Sequence, residues 1–141
     1  MGYSTDFFGQ FKIDPPLKLQ TIIELDKICH RRHEWIKEEK RHEDNAPGYY
    51  CQWITNDCGT ELSWDGNERF YGYVEWLEYL CKNMINPDGS KLMGNVCWRG
   101  DDCSGEDRGV IYAGVDEDGN QKIKAVNDTI KNGPVPKWYK F

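Results

Sequence analysis

No stretch of the 141 residues is apolar for long enough to cross a bilayer, which excludes a membrane-spanning helix. The opening residues, Met1-Gly2-Tyr3-Ser4-Thr5-Asp6, carry neither a basic segment nor an apolar one, so no secretory leader is expected and the cytoplasm is the assigned compartment. Asp6 stands where a myristoylation signal needs Ser or Thr, which removes the lipid anchor that Gly2 suggests. Histidine is scarce: all three fall within residues 30–42, and no Ser sits in a Gly-x-Ser-x-Gly setting. A nucleophilic triad is therefore not expected. A phosphate-cradling glycine loop with its Lys is missing as well. Basic charge is in deficit, with 18 Lys and Arg against 24 Asp and Glu and a net charge of -6. That balance disfavours binding DNA or RNA through phosphate neutralisation, and docking on an anionic membrane.

What the chain does contain is aromatic. Phe, Trp and Tyr make up 13% of it, with six Trp and eight Tyr, far too many for a disordered segment. Large rings let a polar sequence build a core, and the length fits one domain. Without a secretion signal the six cysteines are expected as free thiols. Cys29 and Cys81 fall on apolar helical faces, as small core residues do. Cys51/Cys58 and Cys97/Cys103 lie near turns and are the pairs for which a disulfide is conceivable.

Alternation from Tyr3 to Ile13 predicts a first strand, stopped by Asp14-Pro15-Pro16, with Asp14 as a helix N-cap. Helical spacing follows: Ile22, Leu25, Cys29, Arg32 and Ile36 form one stripe, and the helix is expected to run to about Arg41. Asn45-Ala46-Pro47-Gly48 breaks it. Tyr49–Thr55 and Thr60–Trp64 read as a hairpin around Asn56-Asp57-Cys58-Gly59. Asp65-Gly66-Asn67 offers an N-cap for a second helix bearing Phe70, Tyr73, Val74, Leu77, Cys81 and Met84, with Glu75 and Glu78 facing water. Asn86-Pro87-Asp88-Gly89 ends it. Three strands follow, Leu92–Trp98, Gly109–Val115 and Gln121–Val126, the last two joined by an Asp/Gly-rich turn. The order is β-α-β-β-α-β-β-β. It predicts an α+β fold: a mostly antiparallel sheet with two amphipathic helices on one face. Residues 1–126 form the domain and 127–141 an arm that is either docked or a sticky extension.

Candidate chemistry divides into several groups. Cys29-His30-x-x-His33, His42, Cys51 and Cys58 are zinc-type residues, but their spacing is poor and the helical stripe claims Cys29, so no metal is expected. Asp65 and Glu68 at a helix start, and Asp101, Asp102, Glu106 and Asp107 in one loop, suit acid–base or Mg²⁺ work. They equally suit a helix dipole and a solvated turn. Trp53, Trp64, Tyr71, Trp76, Tyr79 and Trp98 gather about the second helix. Rings of this kind with Arg69, Arg99 or Arg108 suit a purine or a nucleotide phosphate, or else simply fill a core. If there is a pocket, it is expected where Trp64, Asp65 and Glu68 meet the loop that holds Arg99, Glu106, Asp107 and Arg108.

Several stretches together resemble a family of small uncharacterised phage and bacterial proteins. They are Met1-Gly2-Tyr3-Ser4-Thr5-Asp6-Phe7-x-Gly9, Asp14-Pro15-Pro16-Leu17, Cys51-Gln52-Trp53, Trp64-Asp65-Gly66-x-Glu68-x-Phe70-Tyr71-x-Tyr73-Val74-Glu75-Trp76-Leu77, Gly94-x-Val96 and Gly105-Glu106-Asp107-Arg108-Gly109. The resemblance extends to Val126, with a shortened segment before Tyr49 and an added tail. It implies a phage-type, non-enzymatic protein that binds a host protein in the host cytoplasm, such as one in antiviral defence. No catalytic residue or cofactor goes with that reading. Asp101, Asp102, Trp138, Tyr139 and Phe141 are its expected contact residues. The alternatives are a nucleotide-binding or nucleotide-processing domain using the Trp64–Arg108 set, and a minor virion protein.

Overall fold

A computed structural model describes residues 3–101, 103–127 and 135–140. The fold is α+β. Its main sheet is antiparallel, with strands β1 (Thr5–Phe8), β2 (Phe11–Asp14), β5 (Trp53–Thr55), β6 (Glu61–Trp64), β7 (Lys91–Gly100), β8 (Arg108–Val115) and β9 (Gln121–Asn127). The order across the sheet is β5-β6-β2-β7-β8-β9, and β1 lies beside β7 in line with β2. A separate two-stranded ribbon is made by β3 (Trp35–Ile36) and β4 (Arg41–His42).

The single first strand expected from alternation is two strands in one register. Phe8 faces Cys97 and Lys12 faces Met93, four residues on in one strand and four back in the other. The ladder opens between them, where Gly9 takes a positive φ of 99°, and Gly94, packed against the backbone of residues 10–12, takes one of 107°. These are conformations that L side chains avoid. Alternation otherwise holds. Phe7, Phe11 and Ile13 are buried on the same face as Leu92, Val96, Trp98 and Ile111.

Two helices cover that face. The first, α1 (Leu19–Cys29), buries Leu25 and Cys29, and the second, α2 (Tyr73–Leu80), buries Trp76, Leu77 and Leu80. Helix α1 lies over β5 and α2 over β9. Fully removing one such leucine from water is worth roughly 1.5–3 kcal/mol, so the stripe rather than helix propensity holds each segment in place. Glu75 and Glu78 face solvent, as expected.

The helix bounds differ from the sequence reading. Helix α1 stops at Cys29 and not near Arg41, because the residues that follow serve tertiary contacts. His30 donates its backbone N–H to Asp26 O. His33 turns inward, fully buried, with Nε2 3.1 Å from Ile28 O and its N–H bonded to Tyr49 O at 2.7 Å. An imidazole on a carbonyl of the last turn satisfies an acceptor that continued helix would have satisfied. Arg32 and Ile36 therefore leave the stripe, and Ile36 joins the ribbon instead.

Asp14 does not cap α1, since the N-cap residue is Lys18 and its own side chain makes no capping bond. Asp88 reaches across from the turn after the second helical segment, accepting the Lys18 N–H at 2.8 Å and the Thr21 hydroxyl at 2.9 Å. Helix α2 begins at Tyr73 behind Gly72 (φ 67°), so Asp65 is not its cap and Phe70 precedes it. The segment Cys81–Ile85 continues α2 as a wider π turn that buries Cys81, Met84 and Ile85. Strand β5 is shorter than expected, because Tyr49 and Tyr50 stay outside the ladder.

Residues 135–140 lie on the opposite face of the sheet. The Tyr139 ring packs edge-on against Tyr112 at 4.7 Å, its hydroxyl accepts from Asn95 Nδ2 at 2.7 Å, and Trp138 sits above Gly114. This part of the arm is docked. Among the described residues no helix is long and apolar enough to cross a membrane.

Candidate functional site

Three chain segments meet beside the end of α1: residues 47–52 leading into β5, residues 68–72 leading into α2, and Arg32. They enclose a cleft of about 450 Å³ lined by Arg32, Tyr49, Tyr50, Gln52, Glu68, Arg69 and Tyr71 among others. The walls are tied together from within. The buried Gln52 donates through Nε2 to Glu68 O at 2.9 Å and accepts from Trp64 Nε1 at 3.1 Å. Its backbone carbonyl accepts the Asp65 N–H at 2.9 Å. One amide side chain thus fixes the spacing of both walls, and its hydrogen-bonding capacity is directed inward.

One wall is backed by a ladder of rings. Trp35 packs edge-on against His42 at 5.1 Å, His42 against Tyr49 at 4.6 Å, and the Arg32 guanidinium lies 4.7 Å from the Tyr49 centroid. Arg32 Nε also pairs with Glu34 at 3.1 Å. A guanidinium held over a tyrosine face is partly desolvated and pre-oriented. The facing wall carries Arg69 at φ 61°, a left-handed conformation uncommon for a long side chain. No ion pair engages Arg69 among the described residues. Strain of this kind persists only where surrounding structure imposes it, here the Gln52–Glu68 tie and the buried Phe70 that follows.

Beneath the cleft lies Trp76. It is fully buried, and its Nε1 has no hydrogen-bond partner among the described residues. Gly48, which lines the cleft, passes directly over this nitrogen, and a Cβ there would come within 3.3 Å of it. Tyr49, Tyr50 and Tyr71 remain 42%, 53% and 59% exposed around the rim.

The ligand set expected from sequence divides between two places. Glu68 lines the cleft. Trp64 and Asp65 are scaffold under it: the Trp64 indole binds Gln52 and Asn67 O, and Asp65 Oδ1 accepts the Asn67 N–H at 2.8 Å. Arg99 at the end of β7 and Arg108 at the start of β8 face each other in the ladder, and Glu106 and Asp107 belong to the connection between them. There Asp107 accepts from the Trp98 indole at 2.9 Å and from the Tyr3 hydroxyl. With burial and this carboxylate near it, the Tyr73 phenol is pushed up to about 12, burial being the larger cause. Asp107 is a structural acceptor that closes a loop.

Of the expected contact residues, Asp101 sits in that same loop with its N–H bonded to Ser4 O at 2.8 Å. Trp138 and Tyr139 line a cavity of about 470 Å³ between the docked arm and the β8–β9 turn. Asp102 and Phe141 lie outside the described residues. Among the described residues no group of three or more His, Cys, Asp or Glu is placed to hold a metal. All six cysteines are free, and the two that approach each other are Cys29 and Cys51, in neither of the combinations read from the turns.

Sequence reasoning misses Tyr49, Tyr50 and Arg32 because the pattern there predicts a strand and a continuing helix. The available signal was the adjacent pair Tyr49-Tyr50, since two neighbouring residues of a strand cannot both face the core. Compared with protein families, with curated proteins and with solved structures, the chain matches none.

Proposed function

We propose that the protein is a phage-type, non-enzymatic binding protein that engages a host protein through the tyrosine and arginine cleft. The observation that carries this reading is the gathering of three exposed tyrosines with Arg32 and Arg69 about one pre-tied cleft. Tyrosine and arginine are the residues that dominate binding energy in protein interfaces. A scaffold already fixed by Gln52 and the Trp35–His42–Tyr49 stack loses little conformational freedom on binding. The cleft takes over the aromatic role expected of Trp138 and Tyr139, which are engaged with the sheet.

The test is capture from bacterial host lysate by the wild type beside Tyr50→Ala/Tyr71→Ala. Both side chains are more than half exposed, so stability should change by less than about 0.5 kcal/mol each. A partner held by the wild type should fall at least tenfold in the variant, the effect of losing about 1.4 kcal/mol or more. Equal capture by both proteins refutes the reading.

A second reading, nucleotide binding at the same cleft, draws on the Arg32–Tyr49 stack and on Arg69. A purine would stack on the tyrosines and its phosphate would meet the guanidinium groups. A thermal-shift screen separates the two readings, because a nucleotide at a hundredfold its Kd stabilises the folded state by about 2.7 kcal/mol.

A further inference from the structure

Cys29, the last residue of α1, and Cys51, just ahead of β5, place their Sγ atoms 3.7 Å apart. Both are buried, and both direct a sulfur at the same acceptor, the carbonyl of Trp53. The other cysteines stand differently: Cys58, Cys97 and Cys103 are exposed, while Cys81 is buried in the π turn. A disulfide needs its sulfurs about 2.05 Å apart, so closure here requires a movement of roughly 1.7 Å, shared between two side chains. Cys51 also lies between Tyr50 and Gln52, which line the proposed binding cleft.

We propose that Cys29 and Cys51 are an oxidative modification site, a dithiol that a peroxide converts reversibly to a disulfide and that thereby reshapes the cleft. The effect on the cleft rests on the binding role proposed above; the bond itself does not. Cys29 is the entry point, being 8% exposed against 1% for Cys51. Its thiolate sulfur attacks one peroxide oxygen, the O–O bond breaks, and a sulfenic acid forms as hydroxide leaves and takes up the proton lost by the thiol. The Cys51 sulfur then attacks the Cys29 sulfur. The S–S bond forms, the S–O bond breaks, and hydroxide leaves to become water with the Cys51 proton. The two sulfurs together give two electrons to the peroxide, which ends as two waters. A hydrogen bond with Cys51 and burial both push the Cys29 thiol up, so the reaction is slow at neutral pH and quickens as pH rises. Closure removes both S–H groups from the Trp53 carbonyl and draws residue 51 toward α1, moving Tyr50 and Gln52 with it. Gln52 is the tie between the cleft walls.

The experiment uses the full chain with Cys58→Ser, Cys97→Ser and Cys103→Ser, which removes the exposed thiols and leaves Cys29, Cys51 and Cys81. Hydrogen peroxide is added, the remaining thiols are alkylated, and a non-reducing digest is read by mass spectrometry. A peptide joining Cys29 to Cys51 should form in the majority of molecules, with Cys81 still alkylated, and should disappear with dithiothreitol. Cys51→Ala and, separately, Cys29→Ala in the same background should yield none, with circular dichroism establishing that each is folded. No joined peptide in the parent, or sulfinic acid at Cys29 in its place, overturns the site. Hydrogen exchange at residues 48–52 and 68–72 then compares reduced and oxidised protein without any partner. A change of at least threefold at these amides, against little at β8, supports reshaping of the cleft. A joined peptide with unchanged exchange overturns the regulatory part alone. Failure of the host-protein reading leaves both measurements intact.

Discussion

Gly59 offers a prediction in which two costs can be separated. It closes the β5–β6 turn at φ 68°, donates its N–H to Asn56 O at 3.1 Å and accepts the Leu17 N–H at 2.9 Å. A Cβ there would stand 2.8 Å from Ile22 Cδ1, 3.0 Å from Leu17 Cβ and 3.1 Å from Leu17 N. The Ile22 methyl is a flexible end and yields. The Leu17 atoms are backbone or next to it, and they set where the chain enters α1, so they do not yield cheaply. The left-handed conformation costs an L residue about 1–2 kcal/mol, and overpacking adds about 1–3 kcal/mol. Lower entropy of the unfolded chain returns about 0.4–1 kcal/mol. Gly59→Ala should therefore destabilise by about 2–4 kcal/mol, which at this length lowers Tm by about 5–15 °C. Gly66→Ala is the control: φ is 86°, but nothing lies within 4 Å of the added methyl. It should cost only about 1 kcal/mol, the backbone part. Urea unfolding followed by tryptophan fluorescence measures both. A Gly59→Ala variant within about 0.5 kcal/mol of Gly66→Ala would refute the claim that the turn is wedged against the start of α1.

Arg69→Gly relieves a left-handed backbone while deleting a cleft guanidinium. By calorimetry it should be as stable as the wild type or more stable by up to about 1 kcal/mol, yet capture less partner. Leu80→Ala empties a fully buried site and should cost about 2–5 kcal/mol in urea unfolding. Asp88→Ala removes the acceptor of the Lys18 N–H and should cost about 1 kcal/mol, as loss of a helix cap does. Asp88 is held below the usual carboxylate range, first by that N–H, so its contribution is present above pH 4 and fades as pH falls further; the variant should show a flatter acid limb. Burial pushes the Cys81 thiol up to about 12. The unfolded thiol ionises near 9 and the folded one does not, so stability should fall between about pH 9 and 12. That fall should be shallower in Cys81→Ala.

Wherever burial alternates, the amino-acid order alone was enough: the β5–β6 and β8–β9 hairpins, the buried faces of both helices, and an antiparallel sheet covered on one side. Period and turn chemistry are local, and each element needs only a few neighbouring residues to express them. The ends of elements were decided elsewhere. Helix α1 stops where His33 finds Ile28 O and Tyr49, and its first turn is capped by Asp88, seventy residues away in sequence. The first strand divides at Gly9, and Gly94 of the distant strand β7 takes its own positive φ against the backbone of residues 10–12. The cleft is equally non-local. Arg32, Tyr49, Gln52, Glu68 and Tyr71 are brought together by the Gln52 amide and by ring stacking, and no spacing along the chain encodes either. Cys29 and Cys51 likewise meet only because α1 lies across β5. A periodic pattern says which face of a segment seeks the interior, whereas which two segments then touch depends on how the buried faces pack against one another.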